Sequence, residues 1–154
     1  MLNIYLNRAK KQFQMLQESR KGSSETFPCS EEEVQKLEKN LGLRLPKAYK
    51  EFLLWIGAGG GPLEGQHFTD SRVQANRERA MATMKAVGCP ESLPEDAIVF
   101  LFDQLDDYFF YIRASEGDNP PVHLFEAIGK EYRKIDNYSR NLEDYLLERI
   151  NYQL

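Results

Sequence analysis

The sequence predicts an α+β domain: an antiparallel β-sheet meander with helices packed mainly on one side. Three observations lead there. Apolar residues at helical spacing fill much of the first half of the chain. Three short apolar runs separated by turn residues then follow between positions 97 and 126. A last helical pattern closes the chain. The loops between the three runs are too short for the crossover that parallel strands need, so neighbouring strands run antiparallel. A chain of 154 residues suits one such domain and can bury a sizeable core.

Taken in order, residues 1–21 predict an amphipathic helix. Leu2, Tyr5, Leu6, Ala9, Phe13 and Leu16 lie on one side, and Arg8, Lys10, Lys11 and Gln14 largely on the other. This helix and the loop Lys21–Pro28 make an N-terminal piece, 1–29, packed on the domain of 30–154. Ser30 with Glu33 forms a capping box ahead of Val34, Leu37 and Leu41, and Gly42 closes that helix. Pro46 opens a second helix with Tyr49, Phe52, Leu53 and Ile56 on one face. Gly57 and Gly59–Gly61 stop it. Asp70 or Ser71 caps a third helix, with Val73, Ala80, Met84 and Val87 inward and Arg72, Arg77, Glu78, Arg79 and Lys85 solvated.

Strands are expected at Ala97–Phe102, Tyr108–Ile112 and Pro121–Glu126. The segment Ala127–Tyr138 reads as polar, with Gly129 and Asp136-Asn137 as turn signals. Ser139 caps the last helix, in which Leu142, Tyr145, Leu146 and Ile150 share a face.

The stretch from Ser30 to Gly61 also carries a resemblance. Glu33, Leu37, Leu41, Gly42, Leu45, Pro46, Tyr49, Phe52, Leu53 and the glycines after Trp55 resemble the opening motif of the SUKH superfamily. This is the Smi/Knr group of fungal cell-wall regulators and bacterial toxin-immunity proteins. The likeness runs from about Ser30 to Leu154 and leaves the N-terminal thirty or so residues outside. It implies the same α+β order of elements and a binding role without catalysis.

Charge is unevenly spread. Residues 86–126 hold nine acidic side chains and one basic one, Arg113, a balance of −8 within a net charge of −4. A field of one sign draws basic partners and repels nucleic acid and anionic membranes. No apolar run approaches bilayer length, and no signal-peptide pattern opens the chain, so the expected compartment is the cytoplasm. Cys29 and Cys89 suit a reducing compartment. One disulfide between them is open, but no framework requires it.

Reactive chemistry finds little support. Cys29, Cys89, His67 and His123 lack metal-ligand spacing, and no nucleophile elbow is present. His123 faces away from Val122 and Leu124 and suits a polar contact better than a ligand role. The glycine run follows a helix rather than a strand and lacks the lysine of a phosphate loop. Trp55 suits the core better than a partner contact. The expectation is therefore a non-catalytic domain with no metal and no cofactor.

The acids invite a different reading. Asp103, Asp106, Asp107, Glu116 and Asp118 are candidates for a negative recognition rim, with Tyr108 and Tyr111 as aromatic anchors. In a meander the two turns that carry these acids lie at opposite ends of the strand Tyr108–Ile112. By the resemblance, the expected partner is a cognate bacterial toxin with a basic cleft, such as a nuclease, whose active site this protein covers. The alternative is a regulatory scaffold for endogenous proteins, as in the fungal relatives. A hydrolase using the acidic strand ends is a third and weaker reading. No nucleic acid or membrane partner is expected, and the chain is read as a monomer or weak homodimer.

Overall fold

The computed structural model describes residues 4–19, 25–60 and 70–151. Among these residues five α-helices and a four-stranded antiparallel sheet form an α+β fold. The order is α1 (Asn7–Ser19), β1 (Thr26–Phe27), α2 (Glu31–Leu41), α3 (Lys47–Ile56), β2 (Gly59–Gly60), α4 (Asp70–Ala86), β3 (Ala97–Asp103), β4 (Tyr108–Arg113), β5 (Val122–Ile128), β6 (Glu131–Ser139) and α5 (Leu142–Asn151). The sheet follows chain order, β3-β4-β5-β6, and β1 with β2 makes a separate two-residue ladder.

Each side of the sheet has its own core. Val99 faces one side, but a register slip between Val99 and Leu101 turns both Phe100 and Leu101 to the other. On that side Ile98, Phe100, Phe110, Ile112, Val122 and Leu124 pack against α1, α2, α3 and α5. On the opposite side Val99, Phe102, Phe109, Tyr111 and Phe125 pack with Ala80 and Met84 of α4. Helices lie mainly on one side, and among the described residues α4 alone covers the other.

Local signals explain most element ends. Ser30 Oγ accepts from Glu33 N at 3.1 Å while Glu33 Oε1 accepts from Ser30 N at 3.1 Å, so the capping box forms as the spacing predicts. Gly42 adopts φ +64°, which closes α2.

The N-terminus of α1 is different, because its caps come from elsewhere in the chain. Glu51 of α3 accepts from Tyr5 N at 3.1 Å and Leu6 N at 2.7 Å. Glu143 of α5 accepts from Arg8 N at 2.8 Å and Ala9 N at 3.3 Å. Two buried carboxylates thus satisfy N–H groups that a helix start leaves unpaired. Arg8, on the polar side of the helix as expected, also pairs with Glu143 at 2.9 Å and Asp144 at 3.1 Å.

Several expectations need correction. The polar segment after Ala127 is the edge strand β6, joined to β5 by a tight turn at Gly129 (φ +64°). Backbone pairing holds β6, and most of its side chains are exposed, so it lacks the apolar signal of a buried strand. The Asp136-Asn137 signal marks an irregularity within β6, with Asn137 at φ +54°. The cap of α5 is Asn141, whose Oδ1 accepts from Asp144 N at 2.9 Å; Ser139 is buried at the end of β6. Pro46 sits one position before α3. Arg77 is half-buried and donates to Ala97 O and Pro94 O at 2.8 and 3.3 Å, which ties α4 to the end of β3. Thr26–Phe27, expected as loop, pairs with Gly59–Gly60. Asp70 and Ser71 open α4, but the side chains on which the expected cap depends, and the loop around His67, lie outside what is described.

Candidate functional site

The strand pairing divides the six candidate residues between two ends of the sheet. Asp103 pairs with Tyr108, and Tyr108 with Glu126, so Asp103, Asp106, Asp107 and Tyr108 share one end with the Gly129–Lys130 turn. Glu116 and Asp118 follow β4 at the other end, six strand residues away, or roughly 20 Å.

At the first end, Asp103 shapes the turn. Its Oδ1 accepts from Leu105 N at 2.9 Å and Asp106 N at 3.0 Å, so its charge faces two backbone dipoles. Asp107 takes a left-handed φ of +48°, and its carbonyl accepts from Ala127 N at 2.9 Å. Asp106 and Asp107 remain exposed, with no ion pair among the described residues. Between them and Asp103 stands Leu105, 94% exposed. Ile128 at the neighbouring turn is 55% exposed. Tyr108 is half-buried, edge-on to Phe110 at 5.8 Å, and its hydroxyl lies near Arg149.

The acids of the second end hold the fold. Glu116 Oε1 lies 2.6 Å from Nε2 of His123. Nδ1 of the same ring accepts from Asn137 N at 3.0 Å, which leaves the ring proton on Nε2, facing Glu116. His123 is buried on the α4 side of the sheet with its ring 5.0 Å from Tyr111. It makes the polar contact that strand alternation predicts. Asp118 meets the start of α3: its carbonyl accepts from Ala48 N at 2.9 Å, and its carboxylate lies 3.9 Å from Lys47 Nζ.

The −8 segment is therefore not one open field. Glu91 pairs with Lys134, Asp96 with Arg113, and Glu126 with Arg133. Asp118 faces Lys47, and Glu116 faces His123. Lys47, Arg133 and Lys134 come from outside the segment, so a tally in chain order could not include them. Tyr111, one of the expected anchors, is 3% exposed and belongs to the core. Trp55 is half-buried, 6.0 Å from the Phe13 ring and 5.9 Å from Lys10 Nζ.

The thiols are free and differ in setting. Cys29 is buried, and burial, with Glu33 nearby, pushes its thiol up to about 11. That makes it a poor nucleophile at neutral pH. Asp96 is held below the usual 3.8: burial pushes its carboxyl up, but hydrogen bonds from Ser115 and Arg113 outweigh burial.

Sequence reading missed Leu105 and Arg149. A lone leucine among four acidic or amide residues was the available signal for the first. Nothing local marks the second, because its surroundings are assembled from β4, β6 and α5.

The described residues combine an antiparallel sheet with two cores, capped helices, and a hydrogen-bonded β3–β4 turn that exposes Leu105, Asp106 and Asp107. The family model described as the SMI1 / KNR4 family (SUKH-1) matches residues 28–148, and the chain belongs to that family. Membership supports a protein-binding module of the immunity-like or regulatory kind. No individual curated protein matches the chain. No helix among the described residues is long and apolar enough to cross a membrane.

Proposed function

We propose that this protein is a cytoplasmic immunity protein, without catalytic activity, that binds a cognate bacterial toxin and blocks its active site. The observation that carries the reading is the β3–β4 turn. Leu105 projects from a turn locked by Asp103, flanked by Asp106 and Asp107, which have no ion pair among the described residues. An exposed leucine on a rigid turn gains stability only when a partner covers it. The flanking carboxylates suit a basic cleft such as that of a nuclease, and would speed encounter more than they tighten the final complex. Tyr108 borders the same surface. Glu116 and Asp118 support the reading only indirectly, by holding the far end of the sheet.

The toxin is sought first as the product of an adjacent gene, by pull-down and growth rescue. Replacing Asp106 and Asp107 with Asn then slows association several-fold and flattens its dependence on salt. Leu105→Ala acts mainly on dissociation. An unchanged association rate and salt slope would remove the turn from the mechanism. Capture of an endogenous protein with no growth rescue favours the regulatory scaffold instead.

A further inference from the structure

A groove of about 260 Å³ opens between α5 and the outer half of the sheet, at the same end as the β3–β4 turn. Phe110 and Leu124 are its apolar lining, and Tyr108, Arg133, Glu148 and Arg149 are among its polar lining residues. The Arg149 guanidinium lies over the rings of Phe110 and Tyr145, at 5.6 and 5.5 Å. Its Nε donates to Tyr145 Oη at 3.1 Å, and the Tyr108 phenol lies beside it. All of these partners are neutral.

The other charges in the groove are answered differently. Arg133 pairs with Glu126 at 2.6 Å, and Glu148 Oε1 accepts from the Tyr138 hydroxyl at 2.7 Å. Among the described residues no carboxylate pairs with Arg149. The chain thus fixes a half-buried cation in place, and the described residues give it no carboxylate counter-ion. A guanidinium carries five N–H donors in a planar fork matched to a carboxylate, and the hydrogen bond to Tyr145 uses one of them.

We propose that this groove is a carboxylate-binding site. Arg149 receives one carboxylate on an apolar body, which lies against Phe110 and Leu124. Glu126 and Glu148 limit the charge it accepts. A monocarboxylate is tolerated beside them, whereas phosphate or a nucleic-acid backbone is repelled. The source is an acidic side chain or a chain end of the protein partner, since the groove is open and shares an end with the β3–β4 turn. That assignment of source rests on the protein-binding reading.

The test uses the full chain and no toxin, so this proposal and the immunity reading can fail separately. The probes are an N-acetylated dipeptide ending in phenylalanine, its C-terminal amide, a blocked peptide with one internal glutamate, N-acetyl-leucine and inorganic phosphate. Heteronuclear NMR follows the Arg149 Nε–H signal and the amides of Tyr108, Phe110 and Leu124. The free-acid dipeptide or the glutamate peptide shifts these signals, and the amide does not. Phosphate binds at least tenfold more weakly. Arg149→Lys keeps the charge, loses the fork and weakens the peptide at least tenfold; Arg149→Gln abolishes binding. Circular dichroism confirms that each variant is folded, and if the Gln variant is not, the Lys variant decides. Equal shifts by acid and amide, equal binding of phosphate, or full binding by the Lys variant would overturn the site. N-acetyl-leucine binding as tightly as both peptides would overturn the protein source.

Discussion

Glu51 offers a direct test of how the first helix is held. Its side chain is 1% exposed, and it accepts from Tyr5 N and Leu6 N at 3.1 and 2.7 Å. Glu51→Ala leaves both donors unpaired beside the core and removes the carboxylate from the positive end of α1. A hydrogen bond to a charged group contributes about 1.5–3 kcal/mol, so losing two costs about 3–6 kcal/mol. The Lys10 contact at 3.5 Å adds little, because Lys10 is partly exposed and screened. Glu51→Gln keeps the shape and one acceptor, and costs about 1–3 kcal/mol. Urea unfolding at fixed salt gives the stabilities, and hydrogen exchange at Phe13 reports whether α1 opens before the rest. A loss below about 1 kcal/mol for the alanine variant would refute the capping argument. So would unchanged exchange at Phe13.

Other substitutions probe separate parts of the fold. The Tyr49 hydroxyl is buried with no hydrogen-bond partner among the described residues, so Tyr49→Phe is neutral or stabilising by up to about 1 kcal/mol in a thermal melt. A Cβ at Gly57 would meet Leu53 O at 2.5 Å and Cys29 Sγ at 2.6 Å. Gly57→Ala therefore destabilises by about 1–3 kcal/mol in urea unfolding, through overpacking. Asp96 has a folded pKa below its usual 3.8. Its contribution is thus complete above that value and disappears as pH falls through the folded pKa. The gap in urea midpoint between the wild type and Asp96→Asn is then widest at neutral pH and closes in acid; a constant gap would contradict the assignment.

What the sequence could determine was local. Ser30 with Glu33, Gly42 after Leu41, and the runs at 97–102 and 108–112 each place their signal within a few residues, and each forms as expected. The motif from Glu33 to Leu53 was enough to indicate the family. Strand β6 escaped because an edge strand held by backbone pairing needs no apolar alternation. The nine acids of 86–126 read as one field because a tally along the chain cannot see Lys47, Arg133 and Lys134 fold back on them. Only the tertiary structure decided which carboxylates stay open, that Glu51 and Glu143 cap a helix far away in sequence, and that Arg149 lies over two rings with no carboxylate partner among the described residues. The physical reason is range. Capping and turn propensities act over three or four residues, whereas ion pairing and desolvation depend on neighbours in space, which the chain supplies only once it has folded.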